Sequence, residues 1–184
     1  MKLNFFAIIL SSINIAYSQN NYEFEFINEG IFSPCENYPN NYLDQLFDVT
    51  NLDIAQTEDG SLILNGYITL KTTVEKPLPV SFELFKFERG KWQPTVYSMK
   101  RGDACTSFFN KAEVWFPYLE NTPAEELKCP FTAGQRIDFD IKKPTYVSLP
   151  IRNGEGEYKI HGKAGSENDD LFFCVDVFAM LHKV

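Results

Sequence analysis

Ser61-Leu62-Ile63-Leu64-Asn65-Gly66-Tyr67-Ile68-Thr69-Leu70-Lys71-Thr72-Thr73-Val74 carries the pattern that decides the fold. Leu62, Leu64, Ile68, Leu70 and Val74 fall on one face, and Ser61, Asn65, Thr69, Lys71 and Thr73 on the other. A two-residue period of this kind belongs to a strand with one face buried. Upstream, Leu52 and Ile54 lead into Glu58-Asp59-Gly60, a turn signal that makes residues 51–75 a hairpin. Downstream, Pro77 and Pro79 end the strand, because proline has no amide to give to a ladder.

The same alternation recurs outward in both directions. Tyr22, Phe24 and Phe26 alternate with Glu23 and Glu25. A strand is predicted over Val80–Glu88, broken at Arg89-Gly90 and resumed from Trp92 to Met99, with others at 136–141, 157–163 and 171–181. The last is apolar on both faces, as a central strand would be. Glu167-Asn168-Asp169-Asp170 reads as a solvated hairpin tip, since its oxygens lack the spacing of a calcium loop. One segment departs from the period of two. Cys105, Phe108, Phe109, Ala112 and Phe116 recur at helical steps after Asp103, a plausible N-cap, which predicts one short helix closed by Pro117. Glu125 and Glu126 after Pro123 favour a second helix N-terminus. Seven or more strands with little helix indicate an all-β, immunoglobulin-like sandwich of two antiparallel sheets.

At the N-terminus, Lys2 precedes the apolar run Phe5-Phe6-Ala7-Ile8-Ile9-Leu10, and Ala16-Tyr17-Ser18 supplies small residues at a cleavage site. Residues 1–18 therefore read as a signal peptide, too short to span a bilayer, and residues 19–184 as a single domain. Loss of Lys2 leaves 16 basic against 25 acidic residues, a net charge of −9. Nucleic acid is thereby disfavoured as a partner. Cys35, Cys105, Cys129 and Cys174 remain, an even number in an oxidising compartment, consistent with two disulfides in any of three connectivities. Their wide spacing, with no C-x-x-C pair, argues against zinc. The expected location is extracellular, with the lysosomal lumen as an alternative.

Catalytic signatures are missing. His161 and His182 are the only histidines, and no nucleophile elbow, zinc-protease helix or phosphate loop is present. His161 reads as an outward-facing strand residue; Asp138 and Asp140, flanked by Arg136 and Lys142, read as a solvated charged face. No cofactor and no metal are expected. What stands out is the aromatic content, 17 Phe, 9 Tyr and 2 Trp. Much of it gathers in Trp115-Phe116-Pro117-Tyr118-Leu119, where an apolar stretch at a proline-broken helix end suggests the rim of a pocket.

Cys129-Pro130-Phe131-Thr132-Ala133-Gly134 before an alternating strand resembles the C-P-F-x-x-G segment of the ML lipid-recognition superfamily, which includes the ganglioside activator protein and secreted and chemosensory insect proteins. Phe82-Glu83-Leu84-Phe85-Lys86 with Gly90-Lys91-Trp92, Cys105 at a helix start, Gly156-Glu157-Tyr158-Lys159-Ile160, Cys174-Val175-Asp176-Val177 and Cys35-Glu36 follow in the family's order. The resemblance implies the pairing Cys35–Cys174 and Cys105–Cys129. It implies two sheets opened into a cup, and a non-enzymatic carrier of a lipid or other hydrophobic small molecule. Phe82, Leu84, Trp92, Phe109, Phe139, Val147 and Leu149 would line the cup, and Trp115, Phe116, Tyr118 and Leu119 would form its lip. A membrane surface, or a hydrolase or receptor to which lipid is presented, are the implied partners of a protein expected to be monomeric. The alternative is a secreted interaction protein. The chain lacks the additional loop cysteines of the activator protein.

Overall fold

The computed structural model describes residues 20–27, 31–58, 60–113, 115–144, 146–149, 153–166 and 172–184, with the backbone alone for 144 and 146–149. The signal-peptide reading of residues 1–18 and the acidic tip at 167–170 lie outside the described residues, as do Asp59 and the side chains of Val147 and Leu149.

Two antiparallel sheets form the molecule. The larger holds β1 (Asn20–Phe26), β2 (Phe32–Pro34), β6 (Val80–Glu88), β7 (Lys91–Arg101), β9 (Tyr146–Leu149), β10 (Gly156–Ala164) and β11 (Phe173–Lys183), in the order β7-β6-β10-β11-β1-β9 with β2 also against β11. The smaller holds β3 (Phe47–Asp48), β4 (Leu52–Gln56), β5 (Ser61–Leu70) and β8 (Arg136–Pro144). β8 runs along β5 from Ser61 to Thr69, while β3 and β4 share the opposite edge of β5.

β11 holds the central position expected of it. β10 covers one edge from Phe173 to Leu181, and β2 and β1 divide the other. In β5 the alternation is interrupted at Gly66, whose φ is +106° and whose missing side chain leaves room for the Asn51 carbonyl. That carbonyl accepts the Tyr67 amide, at 3.0 Å. β5 stops at Leu70, short of the predicted Val74, because the Leu70 amide turns to Gln135 and the Val74 amide to Phe131.

The helical segment is shorter than predicted. α1 spans Ala104–Phe108, with Asp103 as N-cap accepting the Thr106 amide at 3.2 Å. The Asn110 side chain then accepts the Ala112 amide, a local turn that competes with helix continuation. Pro117 does not close this helix; it lies in a separate 3-10 helix, Phe116–Leu119, where its fixed φ suits an early position. Glu125 and Glu126 start no helix either. Residues 123–127 make turns, and the Gln135 amide holds the carbonyls of Glu126 and Lys128.

Both bridges implied by the resemblance form. Cys35–Cys174 joins the segment after β2 to the central strand across 139 residues, and Cys105–Cys129 ties α1 to the approach to β8 across 24. Closing the long loop contributes about 5 kcal/mol in the chain-entropy description. The sheets are also clamped by Gln56 of β4, whose amide nitrogen donates to the Phe24 carbonyl and whose oxygen accepts the Phe26 amide of β1, both at 2.9 Å.

Candidate functional site

The inner faces of the two sheets do not close on each other. They enclose a cavity of about 490 Å³. From the larger sheet, Phe26, Val80, Phe82, Phe173, Val175 and Val177 face it. From the smaller, Phe47, Ile54, Leu62, Leu64, Ile68 and Phe139 do so. These positions follow from strand parity: 62, 64 and 68 in β5, and 173, 175 and 177 in β11. Gly162 of β10, beside Phe82, makes the space for that ring; a Cβ there would lie 3.2 Å from two of its atoms. Phe32, 40 % exposed, carries the lining out to solvent.

One end of the cavity is covered by α1 and the chain after it. Ser107, Phe108, Trp115, Tyr118 and Leu119 all reach the lining. The Trp115 indole nitrogen donates to the Phe108 carbonyl at 3.2 Å, and its ring lies 6.1 Å from that of Phe82. Among the described residues of 110–119, the backbone amide bonds run within the segment or back to Ser107 of α1, and none goes to a strand. Side chains fasten it instead. Arg101 of β7 makes a paired contact with Glu113, at 2.6 and 3.0 Å. Lys143 of β8 reaches the Pro117 carbonyl at 2.9 Å and Glu120 at 3.1 Å. The hydrogen bonds from Arg101 hold the Glu113 carboxyl below the usual range. At the head of α1, burial pushes the Asp103 carboxyl up, but the amides of Leu78 and Thr106 outweigh it and hold it below its ordinary value.

Of the residues singled out in the sequence, Phe82, Trp115, Tyr118, Leu119 and Phe139 meet at the cavity. Leu84, Trp92, Phe109 and Phe116 do not. Leu84 shares the inner face with Phe82 but packs beyond the cavity against Tyr22, Tyr158 and Leu181. This end is filled: Tyr22 is fully buried with its hydroxyl accepting the Gly154 amide, and burial raises the Tyr158 phenol above its usual range. Trp92 pairs with Phe87 across the β6–β7 hairpin and so lies on the outer face, 5.6 Å from Phe178. Phe109 stacks edge-on against Phe131, behind the lining, and Phe116 packs on the same core. Val147 and Leu149 belong to β9, opposite Tyr22 and Asn20.

Phe26, Leu46, Phe47, Leu78, Phe131 and Phe173 were missed as lining residues. Alternation could place Phe26 and Phe173 in strands, but burial in a core and burial at a cavity wall have the same sequence signature. The outer face of the larger sheet holds the other polar cluster. His161 turns away from the cavity as expected, yet it is covered, with 18 % of its side chain exposed. Its Nδ1 lies 2.6 Å from Asp176, its register partner, and beside the Cys35–Cys174 bridge. Both sulfurs are bonded to each other, so neither is a thiolate ligand. On the smaller sheet Arg136 pairs with Asp138 and stacks on Tyr67, while Asp140 is exposed.

Two antiparallel sheets stapled by two disulfides around an apolar hollow define a lipid-recognition sandwich. The ML domain family model matches residues 31–181, and the chain belongs to that family, one of lipid-binding rather than catalytic domains. No curated protein matches the chain. No helix among the described residues is long and apolar enough to cross a membrane.

Proposed function

We propose that the protein is a secreted, monomeric, non-enzymatic carrier that holds a lipid between its two sheets. The observation that carries this reading is the 490 Å³ hollow with its almost wholly apolar wall. Such a wall exposed to water is unfavourable by about 25 cal/mol per Å², and an apolar ligand relieves it without needing a polar partner. The two disulfides suit an oxidising extracellular or lumenal compartment, as does the signal-peptide pattern of residues 1–18. Native mass spectrometry of protein secreted by eukaryotic cells, with lipid extraction, tests it. A stoichiometric apolar adduct, or saturable uptake of a neutral naphthylamine probe, is expected. Absence of both contradicts the carrier reading.

A second reading, presentation of the cargo to a hydrolase or receptor, draws on the outer-face cluster of Phe87, Trp92 and Phe178, in which Phe87 is 40 % exposed. Cargo transfer to acceptor vesicles at a rate unaffected by Phe87→Ser and Trp92→Ser, without any protein partner, would favour free transport instead.

A further inference from the structure

Two properties of the cavity narrow its cargo beyond the carrier reading, on which this inference rests. The first is size. An apolar cavity of about 150 Å³ accommodates one benzene ring, so on that scale 490 Å³ holds about twenty carbon atoms. One long acyl chain fills it, and two do not fit.

The second property is charge. Lys163 is the one charged residue among the described lining residues. It alternates with Gly162 and Ala164, which face the cavity, and its ammonium lies 5.2 Å from the Tyr38 ring, beside the Cys35–Cys174 bridge on the far side of the sheet. Arg101 is occupied by Glu113, Arg136 by Asp138, and Lys143, 5.6 Å from the Tyr118 ring, by Glu120 and the Pro117 carbonyl. A carboxylate or phosphate drawn inside would therefore be buried without a counter-charge, which is strongly unfavourable. The formal net charge of −8 adds a general repulsion of anions. Ser107 and Tyr118 are the lining residues that carry hydroxyls, and the wall exposes almost no polar surface, so at most a small neutral oxygen function suits it.

We propose that the cavity takes a single uncharged, single-chain lipid of about twenty carbons, such as a long-chain alcohol, ester or hydrocarbon, with its polar end inside rather than held by a surface cation. Displacement of a neutral naphthylamine probe by hexadecanol, hexadecyl acetate, palmitate and dioleoylphosphatidylcholine vesicles tests this. The alcohol and ester are expected to displace the probe at one per protein. Palmitate is expected to be at least about tenfold weaker at pH 7.4, with the gap narrowing at pH 4.5 as its carboxyl gains a proton. The diacyl lipid should not compete. Phe82→Ala, which removes a ring from the wall, is expected to move the preferred chain length up by several carbons. Equal affinity for palmitate at pH 7.4, or uptake of the diacyl lipid, overturns the proposal and leaves the carrier reading standing. Failure of the probe and of every lipid to bind overturns both.

Discussion

Phe82 and Leu84 stand two residues apart on β6 and project from the same face, yet only Phe82 reaches the cavity. Register separates them: Phe82 lies opposite Gly162, which leaves it space, and Leu84 opposite Ile160, towards the filled end. Leu84→Ala is therefore expected to lower stability by about 2 kcal/mol through the void it leaves, with probe affinity unchanged. Urea unfolding alongside probe titration checks this, and a loss of affinity would place Leu84 at the wall after all. Gly66→Ala acts differently. It forces a side chain into a positive-φ position occupied by the Asn51 carbonyl, with a cost of about 1–3 kcal/mol readable in the same unfolding experiment.

At the scale of elements, the segment from Asn110 to Leu119 is a strap fastened by side chains, with Arg101–Glu113 at one end and Lys143 at the other. Arg101→Met is expected to raise both association and dissociation rates of a neutral probe in stopped-flow, with little change in their ratio. Unchanged rates would show that cargo enters elsewhere. The carboxyls of Glu113 and Asp103 are both held below their ordinary values, so their stabilisation is complete above that ordinary range and is lost as pH falls through the lowered folded values. Thermal unfolding of wild type should accordingly lose stability steeply only below about pH 4, and Glu113→Gln should flatten part of that loss. The long strands were legible in the sequence because β5, β6, β10 and β11 carry enough side chains to display a period. β2, β3 and β9, of two to four residues, do not. The helix was overextended because Phe116 continues the spacing of Cys105 and Phe109, while the break depends on a hydrogen bond from the Ala112 amide to the Asn110 side-chain oxygen that spacing does not record.

Over the whole molecule, the sheets are kept apart at the cavity and fixed to each other around it. Gln56 clamps β4 to β1, Cys105–Cys129 secures the strap's base, and Cys35–Cys174 closes almost the entire domain. A hollow domain forgoes part of the core burial that stabilises a filled one, and long-range bridges offset that deficit. Replacing Cys35 and Cys174 by alanine should cost about 5 kcal/mol, against about 3 kcal/mol for Cys105 and Cys129, measured by denaturant midpoints. The sandwich itself was readable from alternation, but its hollowness was not: the same leucines and phenylalanines would fill a core if the sheets lay closer. The central claim, that cargo lies between the sheets, is tested most directly by the chain's two tryptophans, one at the cavity wall and one on the outer face. Titration with a brominated long-chain alcohol should quench the fluorescence of Trp92→Phe, in which only Trp115 emits, and leave that of Trp115→Phe unchanged. Quenching of Trp92 alone, or of neither, would contradict the account.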